Sequence, residues 1–340
     1  MPTEQGKSVV PAPNHRGLLL IVAPRKGAWL FDGDSARETW RADGPHFLGH
    51  IINHLVLHPR DGRTLLAAAK TGHLGPTIFR SSDLGQTWTE AARPPAFAAA
   101  TDGTAGRSVD HTLWLTPGHA AQAGVWYAGT SPQGLFRSAD GGDNWDAVPG
   151  INEDPRYGRW MGSVQDGTPD EPKLHSIIVD PRDAAHLYVA MSSGGVHESL
   201  DNGASSAALI DGLEVVEGFD AADATFHDPH CVRLCPSRPV RLYQQNHCGI
   251  YRLERPSRQW RNIGQTMPAE IGDVGFPIVI HPREADSAWV LPMDGTSVWP
   301  RTSPGGKPAI YGRTMPARRG SASLAACRKA RPGGPSNGRR

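Results

Sequence analysis

The sequence has no apolar run approaching the ~18 residues of a membrane-spanning helix, so no membrane span or membrane partner is expected. Its first residues, MPTEQGKSVVPAPNHRG, lack a basic start followed by an apolar stretch; with no sign of a secretory leader, a cytoplasmic protein is the expectation. No stretch sustains helical periodicity. Acidic residues are missing after Asp294, whereas 312–340 carries eight basic ones. Setting those aside leaves 27 Lys and Arg against 34 Asp and Glu, so the body is mildly acidic at −7 although the whole chain is +1. That balance speaks against a nucleic-acid surface.

Cysteine is scarce too, and four clustered residues do not make a disulfide framework. Cys231, Cys235 and Cys248 have His230 and His247 beside them, which suggests zinc. On a strand, however, Cys231 and Cys235 would lie roughly 13 Å apart at about 3.3 Å per residue. Two zinc–sulfur bonds of about 2.3 Å cannot close that gap. Buried thiols are the expectation, with no metal and no cofactor.

Turn chemistry is abundant: Gly 39 and Pro 30 in 340 residues, as many short strands require. The phrase Ser-x-Asp-x-Gly-x-x-Trp occurs in FRSSDLGQTW at 79–88 and FRSADGGDNW at 136–145, and without its Trp in HESLDNG at 197–203. Longer units surround it. They start at Asn53 (NHLVLHPRDGRTLLAAAKTG), His111 (HTLWLTPGHAAQAGVWYAGT), His175 (HSIIVDPRDAAHLYVAMSSG), His230 (HCVRLCPSRPVRLYQQNHCG) and Gly275 (GFPIVIHPREADSAWVLPMDG). The head, LLLIVAPRKGAWLFDGDSARETW, supplies the later strands of one more unit. Each unit reads as four short strands, A to D, joined as a meander at a period of roughly 45–64 residues. The fold class is therefore all-β, a β-propeller of four-stranded blades over 17–311. In the C–D hairpin Asp83 and Asp140 accept backbone N–H bonds, Gly85 and Gly142 supply positive φ, and Trp88 and Trp145 plug between blades.

These phrases resemble the Asp-box, or bacterial-neuraminidase repeat, of sialidases, sortilin-like proteins and related glycosidase propellers. The resemblance covers roughly 17–311 and implies about seven blades in an intact relative. A sialidase would carry Arg-Ile-Pro early in the chain, and the segment here is APRKGAW, so that activity is not implied.

Beyond Tyr311 the fifth unit should deliver its own box. The text is instead GRTMPARRGSASLAACRKARPGGPSNGRR. Back-translated with mostly G/C third bases, a frame displaced by one lost base reads R-T-D-D-A-G-A-S-W-Q-R-L, the missing box. The expectation is a disordered N-terminus at 1–16, an incomplete propeller at 17–311, and a basic disordered tail at 312–340 that a frameshift explains. A natural basic tail is the alternative.

Propellers bind ligands at the channel face carrying the D–A and B–C connections. By unit alignment His54, His111, His175 and His230 fall at equivalent starts of strand A. They form either a ligand-binding ring or the same structural cap repeated in each blade. The B–C turns add His73, Gln133, Asn246, His247 and Asp294. Among carboxylates, Asp110, Asp228 and Asp294 lie on that side, but no catalytic pair can be chosen from sequence. The loop 149–173 adds Tyr157, Trp160, Asp166, Asp170 and Glu171, where Trp160 either stacks on a sugar or pins the loop. Two functions follow: a binding protein for a small molecule, glycan or protein partner, or a glycoside hydrolase using two carboxylates.

Overall fold

A computed structural model describes residues 17–99, 106–161, 172–294, 302–313 and the backbone of 328–329. The segments 1–16, 314–327 and 330–340, which hold most of the expected disordered ends, lie outside the described residues, as do Asp166, Asp170 and Glu171.

The chain is an all-β propeller of six antiparallel meanders. Blade 1 has three strands, Leu18–Val22, Ala28–Gly33 and Trp40–His46. The other five have four each, in chain order A-B-C-D. Their inner strands A are Ile51–Leu57, His111–Pro117, Leu174–Val179, Pro229–Leu234 and Gly275–Ile280 for blades 2 to 6. Strands B are Leu65–Thr71, Trp126–Ser131, Leu187–Met191, Arg241–Asn246 and Ala288–Pro292. The last two strands of blade 6 are Tyr311–Arg313 and Arg328–Lys329, the latter within the basic tail.

Strands B of blades 2 to 5 are covered on both faces, and this explains their composition. Leu65 to Ala69 are all fully buried, so the run is continuously apolar instead of alternating. Small residues let blades approach: a Cβ on Gly129 would meet the Leu174 carbonyl oxygen of the next blade at 2.3 Å. Five hydrophobic cores join successive blades, from Leu30 with Leu65 between blades 1 and 2 to Tyr243 with Ile278 between blades 5 and 6. No such core joins blade 6 to blade 1 among the described residues.

The C–D hairpins repeat one hydrogen-bond set. Ser81 Oγ accepts from Gly85 N at 2.7 Å, and Asp83 accepts from Thr87 N at 2.9 Å. Ser138 and Asp140 do the same to Gly142 N at 2.9 Å and Asn144 N at 3.0 Å. Ser199 and Asp201 follow with Gly203 N at 2.8 Å and Ser205 N at 2.9 Å, although this copy lacks its Trp. The glycines sit at φ of 86°, 94° and 89°, where a side chain is strained. They also face the preceding blade: a Cβ would meet Leu30 Cδ1 at 2.8 Å from Gly85, Leu66 Cδ2 at 2.8 Å from Gly142, and Val148 Cγ1 at 2.6 Å from Gly203. Trp145 and Trp260 are buried between blades, the Trp260 indole donating to the Leu209 carbonyl at 2.8 Å.

Candidate functional site

The backbone register decides which side chains share a level of the channel. At the end of strand A the bonds His58 N to Thr64 O, Gly118 N to Val125 O, Asp180 N to His186 O, Cys235 N to Arg241 O and His281 N to Ser287 O mark one step in each blade. Three residues earlier stand Leu55, Leu115, Ile177, Val232 and Ile278, all buried. Four residues earlier stand His54, Trp114, Ser176, Cys231 and Pro277, and five earlier Asn53, Leu113, His175, His230 and Phe276. Seven earlier stand Ile51, His111, Lys173, Asp228 and Val274. In the ladder to strand B, His54 opposite Ala68 and His175 opposite Ala190 share one step, His111 opposite Ser131 stands two steps away, and His230 is the extra residue of the bulge between Pro229 and Cys231. A β-bulge interrupts every strand A, between Ile52 and His54 in blade 2 for example, and in blade 4 it falls one residue later, at Ser176.

His54 lies inside the channel. Its Nδ1 accepts from Leu115 N of the next blade at 2.9 Å, and its ring stacks on Trp114 at 4.5 Å. Ser176 holds the same place in blade 4, its Oγ accepting from Val232 N at 3.0 Å. The repeated cap thus exists, but His and Ser share it. Arg233 of blade 5 lays its guanidinium over Trp114 of blade 3 at 4.8 Å. Burial, with the Arg233 charge adding, pushes His54 down to about 4. One side chain of blade 5 thus acts on blades 2 and 3, which places the inner strands about a common axis.

Two polar clusters occupy the ends of strands A. In blade 3, His111 Nδ1 lies 2.7 Å from Asp110 Oδ2, and Lys70 of blade 2 donates to Asp110 Oδ1 at 2.5 Å. The Lys70 hydrogen bond is the main cause of a lowered Asp110 pKa. In blade 5, His230 Nε2 and His247 Nδ1 stand 3.2 and 3.4 Å from Asp228 Oδ2. Burial opposes ionisation of Asp228, but the adjacent His230 and His247 outweigh it and hold its carboxyl well below the usual range. The side chain nevertheless keeps 36% of its surface accessible. His175 is buried beside it and pushed down to about 4, chiefly by that burial, with Asp228 pulling the other way.

Phe276 of blade 6 lies flat on His230, ring centroids 4.5 Å apart at 21°, and remains 43% exposed. Phe219 and Phe226, both exposed, stack at 4.6 Å on the loop leading to Asp228. Nearby, burial raises the Asp273 carboxyl, with Glu214 adding to the effect. Burial also raises the Cys248 thiol, helped by Glu214, Asp228 and Asp273.

The other expected residues are dispersed. His73 is exposed on the B–C turn of blade 2. Gln133 is buried, its backbone carbonyl accepting from Tyr157 Oη at 2.6 Å. Asn246 is buried and accepts from Cys248 N at 2.9 Å. Asp294 accepts from Thr302 Oγ1 at 2.5 Å and lines a shallow recess of about 260 Å³ with Glu270 and Met293. Trp160 pins its loop: it is buried, with its edge against His197 at 4.9 Å. Sequence reasoning missed Arg233, Phe276 and Asp273. Phe276 was the most accessible to it, because the unit starting at Gly275 carries an aromatic ring where others have imidazole.

Comparison with known proteins locates the fold. No family model matches the chain. Over 106 residues it is 31% identical to a xyloglucanase of a Paenibacillus species, covering 28% of this chain and 10% of that protein. Among solved structures it is similar to the GH74 xyloglucanase of Xanthomonas campestris (TM-score 0.60, 16% identity, 87% of this chain and 42% of that one). The GH74 enzyme of Niastella koreensis is similar to the same degree (0.55, 17% identity, 85% and 41%). The chain therefore spans about two fifths of the length of these enzymes. A chain of the COPII outer coat vertex scores 0.54 at 11% identity over 92% of this chain and 71% of that one. Enzymes and a coat component share this architecture, so the likeness establishes a propeller and leaves function to the site.

Proposed function

We propose that the chain is a glycan-binding propeller whose site is the blade 5 end of the channel, around Asp228, His230, His247 and Phe276. The observation that carries this reading is the exposed Phe276 ring stacked on His230 beside a partly accessible, ionised Asp228. An aromatic face receives the apolar face of a pyranose, and a carboxylate accepts its hydroxyls. The exposed pair Phe219 and Phe226 extends the apolar surface along the entering loop. The stretch shared with a xyloglucanase makes xyloglucan the first ligand to try. The hairpin chemistry supports placing the chain with Asp-box, sialidase-like propellers as part of the same reading. His111 with Asp110, and the exposed His73, are outlying positions for a longer ligand.

Isothermal titration with xyloglucan oligosaccharides tests it. Saturable heat is expected, weakened about tenfold or more by Phe276→Ala, the scale of one lost aromatic contact. Heat that is absent at millimolar ligand, or indifferent to Phe276, contradicts it.

Hydrolysis is the second reading, favoured by one observation. Asp228 is held ionised while Asp273, at the same end of blade 5, is pushed toward its protonated form, a base and an acid in one region. Release of reducing ends that disappears in both Asp228→Asn and Asp273→Asn would select it over simple binding.

A further inference from the structure

Asp228, His230 and His247 each aim one ligand atom into a space where all three atoms lie within 4.8 Å of one another. All three belong to blade 5. Asp228 and His230 flank the start of its inner strand, and His247 sits on its B–C turn, held in place by its own N–H donating to the Asp228 carbonyl at 2.9 Å. We propose that these three side chains form a binding site for a divalent transition-metal ion of the zinc type.

The hydrogen bonds of His230 carry the argument. Its Nδ1 lies 2.6 Å from the Gly275 carbonyl oxygen, which can only accept, so Nδ1 bears a proton. In the neutral ring Nε2 then holds a lone pair, yet it faces Asp228 Oδ2 at 3.2 Å. Two acceptors at that distance need a cation between them, either a second proton or a metal. His247 Nδ1 faces the same oxygen at 3.4 Å and is buried without a hydrogen bond. A proton on His230 answers one of these contacts. A metal answers both and takes a lone pair from each of the three groups.

Two of the three spacings match a tetrahedral site, and the third lies within 4.8 Å. Zinc bonds of about 2.0–2.2 Å to nitrogen and oxygen in tetrahedral geometry put ligand atoms about 3.4 Å apart. The observed spacings to Asp228 Oδ2 are 3.2 and 3.4 Å. A backbone carbonyl on the far nitrogen of a ligating histidine is the usual outer partner that fixes its tautomer. Two further atoms are buried without hydrogen bonds, Asp228 Oδ1 and His175 Nε2. Two imidazoles and a carboxylate favour zinc and its neighbours over calcium or magnesium, which take oxygen. The cysteines weighed from sequence are not the ligands, since Cys231 Sγ turns toward the Ile278 carbonyl, 4.0 Å away.

The probe is zinc alone, without glycan, so the outcome is independent of the glycan reading. The full chain, tag-free and stripped with a chelator, is titrated calorimetrically with zinc. One saturable site per chain is expected, weakened about tenfold or more in Asp228→Asn and in His247→Gln. No saturable binding, or binding unchanged in both variants, overturns the proposal. Should the variants fail to fold, the wild-type chain is treated with diethylpyrocarbonate and mapped by mass spectrometry. Zinc is expected to protect His230 and His247, and modification of both at an unchanged rate overturns the site.

Discussion

His54 and Ser176 show how one structural task is met by unlike residues. Each offers an acceptor to a backbone N–H in the next blade, Leu115 N for His54 and Val232 N for Ser176. Replacing either by Ala leaves a buried donor without a partner, expected to cost about 1–3 kcal/mol in urea unfolding. A variant within error of wild type would show that the cap is dispensable. The same burial makes stability depend on pH. His54 and His197 titrate near 4 in the fold, against 6.5 as their ordinary value. They stay neutral in the folded chain while the unfolded chain takes up protons. Stability is thus complete above the ordinary value, and it falls as pH drops from about 6.5 to 4, by at most roughly 3 kcal/mol per histidine. Unfolding midpoints at pH 7.5 and 4.5 check this. A profile that is flat in wild type, or equally steep in His197→Gln, contradicts it.

At the scale of the element, the C–D hairpin was the most readable feature of the sequence. Ser, Asp and Gly at fixed spacing specify a turn whose bonds are local, so two intact copies sufficed, and the third keeps the geometry without its Trp because Asp201 and Ser205 make the same bonds. Gly203→Ala is expected to destabilise the chain by about 1–3 kcal/mol, as Gly85→Ala and Gly142→Ala should, from positive φ together with the clash against the preceding blade. Equal urea midpoints for Gly203→Ala and wild type would contradict this. The inner strands were harder to read. Their register depends on bonds to strand B across bulges, and in blade 3 Gly118, after Thr-Pro, takes the step that His58 takes in blade 2. Aligning units by their leading histidines therefore put His111 and His230 out of step with His54 and His175. Phe276 and Asp273 escaped because their roles arise from neighbours distant in sequence, His230 for the first and Glu214 for the second.

For the whole molecule, the cores between successive blades and the Arg233–Trp114 contact define an arc about one axis. Blade 1 starts at Leu18–Val22, and no described strand pairs with the side of it turned away from Ala28–Gly33. Leu18, Leu20 and Val22 are exposed there, Leu20 by 49%. An apolar open edge of this kind invites pairing with another chain. Leu20→Lys is expected to lower self-association in light scattering with the circular dichroism unchanged, and an unaltered mass distribution would count against the edge as its cause. The channel face is what this arrangement offers to a ligand. Hydrogen exchange read by mass spectrometry, with and without xyloglucan oligosaccharide, reports directly where that ligand sits. Protection is predicted in 226–231, 245–249 and 273–277, the three segments that meet around Asp228, and protection confined to the outer C–D hairpins, or none at saturating ligand, would contradict a site at the mouth of the channel.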